Sequence, residues 1–217
     1  MARSNSALVK TARVHNPDAT RQRVLGAATV EFARLGFAGA RVDAIAERAK
    51  ANKRMIYHYF GSKQALFLAA LEDAYGDIRS AERRLNLQHV DPVEAIKILV
   101  TFTWDYYVKH PEFLTLVNNE NLHKARHLKQ SEVIGQRRGA FRALVADILK
   151  RGVQSGVFRP GVDADQLNLT IAAIGYYYLT NRFTNSIIYG HDLMVPAALK
   201  QRLAFNLETI LRMIEAR

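Results

Sequence analysis

The sequence predicts an all-α protein, with a three-helix head carrying a helix-turn-helix and a larger helical bundle behind it, about nine helices in all. Three observations predict this. Apolar residues recur at three- and four-residue spacing in almost every segment, and no stretch alternates convincingly as a strand would. Helix-start chemistry is frequent: Asn52, Ser62, Asp91-Pro92, Pro111, Asp163 and Pro196 each stand where an apolar repeat begins. The charge is also lopsided. Residues 1–63 hold 12 Lys and Arg against 4 Asp and Glu, so the head carries +8 of the net +11. A basic head on a nearly neutral body is the electrostatic footprint of a nucleic-acid binder.

Taken in order, residues 1–17 have no periodicity and mix Ser, Asn, Lys, Arg and His, which predicts an unstructured basic arm. A first helix over 20–35 places Leu25, Ala28, Phe32 and Leu35 on one stripe and stops at Gly36. A second over 42–49 has Val42, Ile45, Ala46 and Ala49 at helical spacing. After Lys50-Ala51, Asn52 caps a third helix, whose Ile56, Tyr59 and Phe60 share one side. A short helix, a tight turn and a second short helix form a helix-turn-helix. Gly61 then breaks the run. Ser62 opens a long helix reaching about residue 85, a lever from head to body. Residues 86–90 form a loop. Asp91 as cap and Pro92 at the first position start a helix to 109. Further helices are expected over 112–121, over 131–151, from Asp163 through 178 towards 185, and from Pro196 to the end. The organisation expected is therefore 1–17 arm, 18–63 DNA-binding head, and 64–217 helical body, to which the resemblance described below assigns ligand binding and dimerisation.

Composition narrows the chemistry. With no cysteine there is no disulfide, thiol nucleophile or thiolate metal site. No apolar run reaches the roughly 18 residues of a membrane span, and no signal-peptide core follows Met1, so a cytoplasmic chain without a membrane partner is expected. No phosphate loop, nucleotide fingerprint or Ser/His/Asp spacing is present. No enzyme activity and no cofactor are expected. His123 and His127 stand at i, i+4 near Glu120, but a further ligand is missing and Lys124, Arg126 and Lys129 repel a cation. No metal is expected there; the segment reads as solvated, or as a site for an acidic ligand.

Residues 21–66 resemble the N-terminal domain of the tetracycline-repressor (TetR/AcrR) family of transcriptional regulators. The matching features are Val24-Leu25 with Ala27-Ala28, Phe32, Gly36-Phe37, Ile45-Ala46, Ile56-Tyr57-His58-Tyr59-Phe60, Ser62-Lys63 and Leu66. Two departures stand out. Lys50 occupies a turn position where the family often has Gly, and Ala40-Arg41 replaces the Ser or Thr that often caps the second helix.

Residue chemistry and this resemblance assign the DNA contacts together. Arg21, Arg41, Tyr57 and Lys63 are expected on phosphates. Lys53, Arg54 and Met55 are expected on base edges, with His58 on either and Asn52 at the cap. In the body, Trp104, Tyr107, Phe113 and Tyr177 supply apolar walls, while Asn118, Asn121 and His123 supply polar groups. Such a set suits a small-molecule pocket, and it equally suits an aromatic core. The resemblance implies that a pocket exists.

Leu167, Ile171, Ile174 and Tyr178 recur at spacing four, three and four, and Leu203, Leu207, Ile210 and Ile214 do much the same. Apolar surface beyond one buried face marks a partner site, unless both helices are wholly buried in one subunit. The resemblance implies a four-helix homodimer interface made from these two helices of each copy. The function expected is a ligand-responsive regulator, a repressor that binds a near-palindromic operator as a dimer and is released by an unidentified small-molecule effector. The alternatives are an effector-independent DNA-binding structural or division-regulating protein, and a helical metal-dependent enzyme with an incidental basic head.

Overall fold

The computed structural model describes residues 17–136 and 139–216. The basic arm lies outside them, apart from Pro17, which opens the first helix. Eleven helices follow in order among the described residues: α1 Pro17–Gly39, α2 Val42–Arg48, α3 Lys53–Phe60, α4 Lys63–Arg83, α5 Pro92–Lys109, α6 Pro111–Leu122, α7 Glu132–Gln136, α8 Ala140–Gln154, α9 Ala164–Thr180, α10 Arg182–Tyr189 and α11 Pro196–Ile214. No strand occurs among these residues, and no described helix is long and apolar enough to cross a membrane.

The caps lie where side-chain chemistry puts them. Asn52 accepts the Arg54 N–H, Ser62 that of Ala65, Asp91 those of Val93 and Glu94, and Asp163 that of Gln166. Arg41 heads α2 with no side-chain cap, as its guanidinium can only donate. Two short 3-10 turns, Leu87–His89 and Leu128–Gln130, fill connections expected as loop.

Two helix boundaries differ from expectation, which raises the count from nine to eleven. The segment 131–151 is two helices, α7 and α8, with Gly139 in a turn between them. Gly135 and Gly139 each cost about 1 kcal/mol relative to Ala in a helix, so continuity there is weak. The expected run from 163 towards 185 breaks at Asn181, which separates α9 from α10. There Asn181 leaves the helical region with φ −101°, ψ 13°, while the Thr180 hydroxyl donates to Tyr176 O and the Asn181 amide to Tyr177 O, local side-chain bonds that compete with continuing the helix.

The head core joins Val24, Leu25, Ala28 and Phe32 of α1 to Ile45 of α2, Ile56 and Phe60 of α3, and Leu66, Phe67, Ala70 and Leu71 of α4. The first two turns of α4 therefore complete the head, beyond residue 63. Leu116 of α6 enters the same core, so the body is plugged into the head. The body holds two further clusters. One joins α5, α8, α9 and α11 through Leu99, Ile148, Leu167, Ile171, Ile210 and Ile214. The other is aromatic and contains Trp104, Tyr106, Tyr107 and Phe113.

Lys50, in the turn of the helix-turn-helix, has φ 48°. A β-carbon in the left-handed region costs on the order of 1 kcal/mol that glycine avoids. Lys50→Gly is expected to raise the melting temperature of the chain, or leave it unchanged, while removing one cation from the head. A clear drop in a thermal melt followed by circular dichroism would contradict this.

Candidate nucleic-acid interface

The third helix is two-faced for a local reason. Ile56 and Phe60, one turn apart, are buried against α1, α2 and α4, and this fixes the helix rotation. Asn52, Lys53, Arg54, Tyr57 and His58 are consequently exposed, with Met55 half-buried. No acidic residue lies on this helix. The exposed set pairs cations with amide, phenol and imidazole groups on one short helix, the chemistry of groove contact.

Each remaining DNA candidate has a defined surrounding. Lys53 Nζ is 2.7 Å from Asp43 Oδ1, both exposed. That hydrogen bond holds the Lys53 ammonium above its ordinary range and the Asp43 carboxyl below its own. Lys53 must leave Asp43 to reach a base. Arg41 is exposed at the start of α2. Arg21 lies over the Phe60 ring, 5.1 Å from its centroid, and borders a cleft with Glu72, Asp73 and Asp77 of α4. Lys63 is half-buried: its ammonium donates to Ala38 O at 3.3 Å and stands 5.0 Å over Phe37, and burial lowers its pKa. Arg21, Arg41, Asn52, Lys53, Arg54, Tyr57 and His58 therefore present exposed side chains, while Lys63 is half-buried at the start of α4.

Behind the head lies a joint that periodicity did not reveal. Gly36 ends the regular part of α1 with φ 68°, ψ 176° and turns Phe37 inward. The Phe37 ring packs on Phe67 of α4 at 5.3 Å and on His127 at 4.9 Å; Phe67 also meets His127 at 4.9 Å. His127 and Glu120 are 0% and 2% exposed in their side chains, with Nδ1 2.6 Å from Oε2. The other Glu120 oxygen accepts the backbone N–H groups of His127 at 2.8 Å and Leu128 at 3.0 Å. Arg126 Nε donates to His127 Nε2, which leaves the ring proton on Nδ1, facing Glu120. Burial raises the Glu120 pKa, but the three donors outweigh it and hold the carboxyl below its ordinary range. One carboxylate thus closes the bend after α6, where Lys124 and Ala125 both take φ 56°. The solvated reading of this segment is corrected for Glu120 and His127, which are inside.

Of the pocket candidates, Trp104, Tyr107 and Phe113 come together in the aromatic cluster, with Tyr107 and Phe113 stacked at 6.0 Å. Burial pushes the Tyr107 hydroxyl up to about 12, keeping it a neutral hydrogen-bonding group. Asn118 joins them by accepting the Tyr176 hydroxyl. Three others lie elsewhere. Asn121 is exposed and donates to Val117 O, Tyr177 is 62% exposed, and His123 sits at the joint with Nδ1 2.8 Å from Asn119 O. One residue not singled out from the sequence, Arg202, stands beside this cluster. The Arg202 guanidinium lies 5.3 Å over Tyr178, whose ring is 5.6 Å from Trp104. Arg202 Nε and, one turn on, Asn206 Oδ1 are buried with no hydrogen-bond partner among the described residues.

The interface candidates divide in the same way. Leu167, Ile171, Ile210 and Ile214 are buried in the chain's own core, and Ile174 and Leu207 pack against it. Tyr178 and Leu203 pack against the aromatic cluster. Four of the eight are therefore turned inward, while Ile174, Tyr178, Leu203 and Leu207 are half-buried. The exposed large apolar residues on the two helices are Leu169 and Tyr177 of α9 and Phe205 of α11.

Comparison with known proteins adds a second line of observation. Residues 24–70 match the family model described as bacterial regulatory proteins, tetR family, and residues 92–210 match the tetracyclin repressor-like C-terminal domain. The chain is 39% identical over 200 residues to the HTH-type transcriptional repressor NicS of Pseudomonas putida, covering 92% of this chain and 94% of the relative. It is 33% identical over 178 residues to the HTH-type transcriptional repressor SCO4008 of Streptomyces coelicolor, covering 82% and 88%. Among solved structures, a TetR family transcription regulator from Marinobacter aquaeolei superposes with a TM-score of 0.69 at 19% identity, covering 92% of this chain and 97% of that one. The ketosteroid transcriptional regulator KstR2 of Mycobacterium tuberculosis does so at 0.66 and 21%, covering 91% and 95%.

Proposed function

Because this chain belongs to the TetR family of bacterial regulatory proteins, we propose that it is a ligand-responsive transcriptional repressor that grips a near-palindromic operator as a homodimer. The observation that carries the proposal is α3, a capped helix seated on Ile56 and Phe60 that displays Lys53, Arg54, Tyr57 and His58 from the basic end of the molecule. In this reading α3 lies in the major groove, and two heads read two half-sites. Lys53, Arg54 and Met55 address base edges; Arg21, Arg41, Tyr57 and Lys63 address phosphates, Lys63 by letting go of Ala38.

The effector reading is supported by the aromatic cluster and by the unpaired Arg202 Nε beside it, a group that a small polar ligand would satisfy. Trp104, Tyr107, Phe113 and Asn118 are the candidate lining. An effector favouring one arrangement of the body shifts the spacing of the heads, because α4 and α6 both run from the body into the head core. The dimer reading is supported by the exposed Leu169, Tyr177 and Phe205 on α9 and α11.

The test is a pair of substitutions read by fluorescence anisotropy across salt concentrations. Lys63→Ala is expected to weaken binding to all duplexes similarly and to lower the salt slope by about one unit. Arg54→Ala is expected to cost about 1–3 kcal/mol on the operator and to relax one position of each half-site. An unchanged sequence preference in Arg54→Ala would refute base reading by this residue. Operator affinity unmoved by any member of a metabolite panel would instead favour the effector-independent alternative.

A further inference from the structure

The least covered apolar element is α10. Phe183, Ile187, Ile188 and Tyr189 are 70%, 82%, 72% and 67% exposed, and Asn185 is the helix's buried residue. At 100° per residue these four side chains occupy most of the circumference. A helix that is apolar nearly all round belongs inside something. Yet α10 is firmly placed. Arg182 donates to Leu179 O at its start, Gly190 closes its end in the left-handed conformation, and the Ser186 hydroxyl accepts the Leu193 N–H. The Tyr178 hydroxyl donates to Leu193 O and ties the following loop to α9. The helix is thus a braced ridge whose apolar side chains stay largely exposed among the described residues, with Phe183 meeting the Arg182 guanidinium at 4.3 Å.

We propose that α10 is a clamp that packs on a second copy of this chain and extends the α9–α11 dimer face. The argument is one of area and continuity. A stable interface covers about 800 Å² per partner, of which roughly 500 Å² is apolar. Leu169, Tyr177 and Phe205 offer roughly 300 Å² between them, too little for a stable dimer. The four α10 side chains add roughly 500 Å², more than single scattered residues explain. The two patches also adjoin, since α10 follows α9 after one residue and Tyr177 O accepts the amide of that residue, Asn181. Together they exceed the apolar share of such an interface, which Leu169, Tyr177 and Phe205 do not reach without α10.

This inference rests on the dimer reading, and sedimentation equilibrium of the full chain at micromolar concentration separates the two. Wild type, Phe205→Asp and the double variant Ile187→Asp with Ile188→Asp are compared, with circular dichroism melts as a check on folding. These side chains are exposed in the single subunit, so a monomeric variant is expected to stay folded. The double variant is expected to raise the dimer dissociation constant at least 100-fold. A wild-type monomer would overturn both the dimer reading and the clamp. A wild-type dimer broken by Phe205→Asp but untouched by the double variant would overturn the clamp alone. A second readout guards against misfolding of the double variant. The chain has no cysteine, so Ile187→Cys carries a single spin label, expected to be immobilised in the dimer and released by Phe205→Asp. A label equally mobile in both backgrounds would overturn the clamp.

Discussion

Replacing Glu120 with alanine is expected to destabilise the protein by about 3–5 kcal/mol, the cost of removing one partner of a buried, fully bonded charge. The side chain takes three donors at once: the His127 ring and the N–H groups of His127 and Leu128. Alanine leaves all three inside with nothing to accept them. The bend that they close contains two residues in the left-handed region, Lys124 and Ala125, whose strain this closure helps to offset together with the backbone bonds of Lys124 to Asn121 O and Ala125 to Glu120 O. For a chain of 217 residues the melting temperature should fall by roughly 10 °C. Operator affinity should fall with it, because His127 is the surface on which Phe37 and Phe67 of the head rest. An unchanged melt in calorimetry would show that the carboxylate holds nothing. The same group sets a pH dependence. Its folded pKa lies below the unfolded value, so its contribution is fully present above the unfolded value, about 4.3, and is lost as pH falls through the folded one. Glu120→Ala should flatten the acid side of the stability curve.

Gly36→Ala is expected to damage the same joint from the other side. The backbone at φ 68°, ψ 176° lies in a region that glycine alone visits freely, so any β-carbon costs about 1–3 kcal/mol. That carbon would also stand 2.6 Å from Asn119 Oδ1 on α6. Asn119 is not free to swing without loss, since its amide donates to Thr115 O at 2.9 Å. The expected result is a lower melting temperature together with weaker operator binding, as Phe37 is levered away from Phe67 and His127. Gly26→Ala is the control: an added β-carbon there meets nothing within 4 Å and the site is helical, so stability should hold or rise. Equal melts for the two variants would contradict the strain at Gly36.

What the sequence made legible follows from how local each signal is. Asn52, Ser62, Asp91 and Asp163 cap helices through bonds to residues two or three positions on, so a reader needs only the neighbouring sequence. Ile56 and Phe60 reveal the rotation of α3 because a helix has one period, and the exposed cations then fall where DNA can meet them. The stripe Leu167, Ile171, Ile210 and Ile214 has the same period, but a period does not say which neighbour covers it. The subunit's own core covers Leu167, Ile171, Ile210 and Ile214. Of the outward residues, Phe205 is legible as apolar surface widening the stripe of the last helix, Tyr177 reads as pocket lining, and Leu169 stands as an isolated apolar position. Glu120 and His127 were illegible for a different reason. Their bond crosses a left-handed bend of seven residues, which breaks the helical spacing by which His123 and His127 were compared.

The most direct measurement is selection of bound sequences from random duplexes by the full chain, repeated with Arg54→Ala. The account predicts one enriched near-palindrome with half-sites one helical turn or a multiple of it apart. It also predicts that Arg54→Ala relaxes the same position in both halves while leaving the spacing intact. Recovery of no common sequence, or of a motif without two-fold symmetry that Arg54→Ala leaves unaltered, would contradict it.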